Sequence, residues 1–345
     1  MSIDFTVTAY RRQRQMCIRD RESDSMNAIN TDKKVQLTYG GLKSSTDTSG
    51  ADYTIIGIPF DIRTTYRPGT RFGPDGIRRA FSTDSMNEAV GIDTSKYVKG
   101  VDYGDLDMWN AEKAYLGSIP QEMKAILETG TIPIVLGGDH SITFPELLAY
   151  KDVYGPVSII HFDSHTDTWG SDTDKEHHDH STPFRRAIEY DCIDPKTSIQ
   201  VGMRGGLFEE SDFDFANNAG LEHIYAVDIH HMGIEKTAEL IREKVGNNKV
   251  MVTFDIDFVD PAFAPGTGTP VSCGFTSRQA LELIRHALIG LDIVGFDLVE
   301  VAPNYDAGGI TSILASRIVK EFITCVACKK AGINEYAKKG MIENV

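Results

Sequence analysis

"VSIIHFDSHTD", residues 157–167, joins an apolar run to a tail in which Asp163, His165 and Asp167 alternate with small neutral residues. The run reads as a buried strand. If the extended geometry persists past His161, the three polar groups share one face, because alternate side chains of a strand point to the same side. Packed together, they would repel and desolvate one another unless something positive sat between them.

Working outward, three other stretches repeat the pattern. "PIVLGGDHS" (133–141) sets Asp139 and His140 just after an apolar run, and "VMVTFDIDFVDP" (250–261) does the same with Asp255 and Asp257. "IVGFDLVEV" (293–301) ends with Glu300. A single DxD is an ordinary turn, and a lone histidine after a strand is usually structural. Four strand ends carrying the same chemistry point instead to a site, since open α/β sheets gather ligands beyond the carboxyl ends of their strands.

The wider pattern supports that sheet. "YTIIGIP", "TIPIVLG", "TSIQVGM" and "EHIYAVD" are further short β-branched runs. Amphipathic stretches such as "IPQEMKAILETG", "TPFRRAIEY", "GIEKTAELIREKVG" and "TSRQALELIRHALIG" lie between them. Alternating strand and helix signals predict an α/β fold, a mainly parallel sheet covered on both faces. No repeat or linker interrupts the series, so residues 26–345 are read as one domain. The basic stretch within residues 1–25 ("AYRRQRQMCIRDRESDS") lacks a signal-peptide core and is read as an extraneous or disordered leader.

Composition narrows the function. With 35 Lys+Arg against 50 Asp+Glu the formal charge is −15, which argues against a nucleic-acid surface. No apolar run of membrane-spanning length occurs. The 5 cysteines are odd in number and unpaired in spacing, which suits a reducing cytoplasm. Cys325 and Cys328 form a lone CxxC read as two helix residues.

Oxygen and imidazole donors with no nearby thiolate suit Mn²⁺, with Fe, Co, Ni or Zn as substitutes. Six donors are too few for two separate cages but enough if carboxylates bridge two ions about 3.5–4 Å apart.

The motifs "GGDHSIT" (137–143), "FDSHTDT" (162–168), "FDIDFVDPAFAPGTGTP" (254–270) and "DLVEVAPNYD" (297–306) resemble those of the ureohydrolases, the arginase and agmatinase family. "RPGTRFGP" (67–74) and "HSTPFRRAIE" (180–189) extend the resemblance, which runs in order from about residue 52 to 328 and is strongest to the agmatinase branch. It implies a three-layer α/β/α fold, two Mn²⁺ per chain, and hydrolysis of a guanidino group to urea and an amine. One ion would use His140, Asp163, Asp167 and Asp255. The other would use Asp163, His165, Asp255 and Asp257. Glu300 would hold the guanidinium, and His180 would shuttle the proton to the departing amine. The family also implies a homotrimer or homohexamer.

Three positions depart from the family pattern. Ser164 stands where Ala is usual, Ser181 where Gly is usual and Cys273 where Gly is common. Between Asp167 and His180, Asp172, Asp174, Glu176 and Asp179 outnumber Lys175, which favours a substrate with a second cationic end, such as agmatine. Guanidinobutyrate and arginine are the alternatives. His177 and His178 are read as members of a solvated loop. A non-catalytic homologue and a metallophosphatase are the competing classes. The first would have no reason to keep every ligand, and the second would need basic groups for phosphate that these motifs lack.

Overall fold

The computed structural model describes residues 37–80, 84–170, 177–205 and 210–337. Nine strands form one parallel sheet: β1 (Lys43–Ser44), β2 (Tyr53–Gly57), β5 (Gly100–Asp105), β6 (Ile132–Leu136), β7 (Ser158–Phe162), β8 (Ile199–Met203), β9 (Glu222–Tyr225), β10 (Lys249–Asp255) and β11 (Asp292–Val299). Their spatial order is β1-β5-β2-β6-β11-β10-β7-β8-β9. β3 (Met86–Asn87) and β4 (Ile92–Asp93) pair separately as a small antiparallel ribbon.

Period-2 alternation decides which face each side chain covers. Ile134, Ile160, Val250 and Val252 join one buried cluster with the helices Ile234–Val245, Ser277–Leu288 and Ile310–Ala331. Their neighbours Val135, Ile159 and Met251 face the opposite cluster with Ser118–Glu128, Thr143–Tyr154 and Pro183–Glu189. Two dry layers sandwich the sheet, giving three layers in all. Helix starts follow local chemistry. Thr276 and Gln279 exchange a capping box, in which Gln279 N donates to Thr276 Oγ1 (3.2 Å) and Thr276 N donates to Gln279 Oε1 (3.0 Å).

The four central strands end level with one another. Phe254 pairs with Phe162 and Leu298, and Leu298 with Leu136. The residues just beyond therefore emerge along one line at the carboxyl edge of β6-β11-β10-β7.

Two readings are corrected. "EHIYAVD" is strand only to Tyr225 and then turns into the helix Ala226–Met232. β5 escapes the apolar-run criterion because its sequence, GVDYGD, carries two acids, yet Asp102 is fully buried. The described residues cluster as one compact unit, and the leader expectation for residues 1–25 falls outside them. Cys325 and Cys328 are free thiols buried on the last long helix.

Candidate metal centre

β7 stops at Phe162, so the pleat does not carry Asp163, His165 and Asp167 to one face as the alternation predicts. A tight turn does it instead. His165 N donates to Asp163 Oδ1 (2.6 Å), and Asp167 adopts a left-handed backbone with φ of 48°. Such a conformation is costly for a residue with a Cβ, and it persists where surrounding contacts impose it. Glu300, at φ 62°, is the second example at this edge.

All six predicted ligands converge. His140 Nδ1 lies 3.1 Å from Asp163 Oδ2, 3.0 Å from Asp167 Oδ2 and 3.3 Å from Asp255 Oδ2. His165 Nδ1 lies 3.1 Å from Asp257 Oδ2 and 3.4 Å from Asp163 Oδ1. Asp163 thus belongs to both groups, with one oxygen directed to each. Asp255 Oδ1 accepts from Asp257 N (2.7 Å), and Oδ2 turns toward His140.

Does this set fit divalent cations? His140 Nδ1 is buried and has no hydrogen-bond partner despite three carboxylates around it. A donor aimed at a common centre, without a partner of its own, is what a ligand awaiting an ion looks like. Electrostatics agrees. Burial and the charges of Asp257 and Asp163 push the Asp255 carboxyl well up, and burial with Asp163 raises Asp167 to about 6. Burial opposes the charged imidazolium of His140 and of His165, yet the surrounding acids hold both well above their ordinary values. The donors fit two ions sharing Asp163.

Sequence reading missed His161 as a brace. Burial lowers it to about 4, so it is neutral, and Nε2 donates to Asp163 Oδ2 (2.7 Å) while Nδ1 accepts from Gln200 Nε2 (2.8 Å). With both ring nitrogens engaged, His161 aims Asp163 rather than replacing Asp255 as a donor. The His161-x-Asp163 spacing was the available signal. Thr253 does the same for His140, its Oγ1 lying 2.9 Å from Nε2.

Glu300 links the acid cluster to His180. Its Oε1 accepts from His140 N (2.9 Å) and His180 Nδ1 (3.1 Å), while Oε2 is buried without a partner. Thr65 N donates to His180 Nε2 (3.1 Å), so in this arrangement Nε2 accepts and Nδ1 carries the proton. Burial pulls His180 down, but the bond to Glu300 and the charges of Glu300, Asp167 and Asp139 raise it to about 9. A second proton reaches Nε2 only when the Thr65 contact opens. Asp139 organises the loop: its carboxylate accepts from Ser141 N and Oγ and from Arg63 N. Gly138 permits that packing, since a Cβ there would meet Phe60 O at 1.8 Å.

His165, Asp167, Asp255, His180 and Glu300 border a cavity of about 180 Å³ that continues past Thr65, Trp169, Ser181 and Thr269. Of the acidic stretch, 171–176 lies outside the described residues. Asp179 does not face the cavity as a free acid, because it accepts from Ser181 N (2.9 Å), Ser181 Oγ (2.7 Å) and His177 Nε2 (2.8 Å). His178 is not solvated: it is buried and stacked on Phe144, ring centroids 5.4 Å apart. Cys273 sits at φ 66°, which explains why glycine suits that position. Among the described residues, no helix is long and apolar enough to cross a membrane.

Comparison with known proteins agrees with this geometry. The chain is 39% identical over 307 residues to the agmatinase of Chromobacterium violaceum, covering 86% of this chain and 92% of the relative. It is 39% identical over 288 residues to the guanidinobutyrase of Pseudomonas aeruginosa, covering 83% and 89%. The structure of proclavaminate amidinohydrolase from Streptomyces clavuligerus superposes with a TM-score of 0.76 at 40% identity, covering 85% of this chain and 97% of that one. The Arginase family model matches residues 51–325, and with it the converging acids, the parallel sheet and these relatives have one explanation: the chain belongs to the arginase family, hydrolases of linear amidines.

Proposed function

We propose that the protein hydrolyses agmatine to putrescine and urea with two Mn²⁺ held by His140, Asp163, His165, Asp167, Asp255 and Asp257. The observation that carries the reading is Glu300 Oε2, a buried acid oxygen without a partner, in a residue that borders the cavity next to the acid cluster.

A guanidinium carbon is a poor electrophile because its charge is spread over three nitrogens. Bound divalent ions would lower the pKa of water and so supply a nucleophile near neutral pH. The chain's own residues do the rest. Glu300 Oε2 accepts N–H bonds from the guanidinium, pairing its charge and fixing its plane toward the acids. Glu300 Oε1 meanwhile holds His180 Nδ1, so substrate and proton carrier are positioned by one carboxylate. His180 Nε2, released from Thr65, delivers a proton to the departing amine.

Agmatine is favoured over guanidino acids by the far end of the cavity. Its lining includes no Lys or Arg among the described residues. The hydroxyls of Thr65, Ser181 and Thr269 are already engaged with His180 Nε2, Asp179 Oδ1 and Asp257 Oδ2. A substrate carboxylate would find no free donor among these hydroxyls. The four described cysteines are free, in keeping with a reducing cytoplasm.

The test is urea release from agmatine, 4-guanidinobutyrate and arginine, with agmatine expected to give the highest kcat/KM. A carboxylate-bearing substrate in first place would overturn agmatine and leave the reaction class standing. No urea from any of the three would overturn the reaction class.

A further inference from the structure

Ser164 departs from the family pattern at a place where the extra atom meets a metal-site carboxylate. Its side chain is buried, at 1% exposure. Oγ donates to Asp257 Oδ1 at 2.7 Å, and Ser164 N donates to the same oxygen at 3.2 Å. An alanine keeps the second bond and loses the first. The serine backbone is itself pinned, since Ser164 O accepts from Arg204 N (3.0 Å) and Gly205 N (3.2 Å). The hydroxyl is therefore presented from a rigid spot and does not order a mobile side chain.

We propose that Ser164 is a positioning residue that fixes Asp257 for the ion shared by Asp163, His165 and Asp257. With Oδ1 occupied by two donors, Asp257 offers Oδ2 to the ion, and Oδ2 is the oxygen already facing His165 Nδ1 at 3.1 Å. A carboxylate held in its binding rotamer before the ion arrives loses less conformational freedom on ligation. Bracing partners of metal ligands typically contribute about 10–100-fold in metal affinity. Ser164 Oγ also lies 3.1 Å from His165 Nδ1. That contact belongs to the cation-free protein and is weaker than the short charge-assisted bond to Asp257, so the net effect is tighter binding.

The inference rests on the two-ion reading but not on the choice of substrate. Its test is a Mn²⁺ titration of the full chain after chelator treatment, following free Mn²⁺ by electron paramagnetic resonance. Asp257→Asn first marks which of the two binding steps belongs to this ion. Ser164→Ala should weaken that step about tenfold and leave the other unchanged, and Ser164→Thr, which keeps the hydroxyl, should restore it to within about threefold. Ser164→Ala that leaves both steps unchanged, shifts both equally, or shifts only the other step would overturn the role given to Ser164. Fewer than two steps in the unmodified protein would overturn the two-ion reading, and this inference with it. Urea release, measured separately, bears on the substrate reading alone.

Discussion

Two buried acid clusters lie in this sheet, and they are neutralised in opposite ways. Asp102, on β5, accepts Arg78 Nε and Nη2 at 2.9 Å each, Tyr39 N at 2.7 Å and Gly104 N at 2.9 Å. A guanidinium and backbone donors saturate it, and Arg78 reaches on to Asp105. At the tips of β6, β7 and β10, by contrast, four aspartates share the imidazoles of His140, His161 and His165, and among the described residues no guanidinium is paired with their carboxylates. The first cluster is complete within the chain and therefore structural. The second is complete only with cations from outside, and that deficit makes it a site. Burial alone does not distinguish them; the balance of charge does.

The comparison breaks most visibly at Asp255. Asp255→Asn should cut the metal content below two ions per chain and drop urea formation to the detection limit. Its cation-free stability should not fall, because one of several crowded acids has gone. Elemental analysis, urea assays and melting in chelator check the three parts. A large loss of cation-free stability would mean that the acids are compensated within the chain after all.

Asp102→Asn should do the reverse. Leaving Arg78 buried beside a neutral amide costs about 3–5 kcal/mol of folding stability, while metal uptake and the turnover of folded protein stay unchanged. Denaturant melts read the first quantity and Mn²⁺ titration the second.

Next come Glu300 and His180, the proposed guanidinium holder and proton carrier. Glu300→Gln should lower kcat/KM by roughly a hundredfold to a thousandfold, about 3–4 kcal/mol, with both ions retained. His180→Asn should lower kcat about a hundredfold with KM nearly unchanged, as expected for loss of a general acid. Near-normal turnover by His180→Asn with full metal content would pass the proton-carrying role to another group. His178 is a poor replacement, being stacked on Phe144 away from the cavity.

The smallest effect sharpens the comparison with a third solution. Glu146 is fully buried with neither oxygen partnered, and burial, then the charge of Asp297, hold its carboxyl well above the ordinary 4.5. It is neutralised by its own proton. The unfolded chain ionises Glu146 above about 4.5 while the folded chain keeps the proton, so rising pH favours unfolding until the folded value is reached. Glu146→Gln should remove that loss, gaining on the unmodified protein by about 1 kcal/mol between pH 5 and 6. Parallel stability curves for the two proteins would show that Glu146 ionises in place.

Strand tips with their acids and imidazoles and the covered parallel sheet were legible in the sequence, because apolar runs followed by such residues are local patterns. His180 follows no apolar run and was suggested only by the family resemblance. β5 was not, since an acid such as Asp102 looks like a loop residue until its distant guanidinium is known. The role of Ser164 was equally hidden: its departure was visible, but Asp257, the oxygen it meets, lies 93 positions away.

The sequence by itself determined what each strand end carries. Only the tertiary structure decided which ends are neighbours. In chain order the site strands are β6, β7, β10 and β11, but in the sheet they run β6-β11-β10-β7, so Glu300 reaches the backbone of His140 across 160 positions. The physical reason is one of range. Side-chain alternation and turn chemistry act over a few residues, whereas strand order is set by how the helical layers pack across the whole sheet.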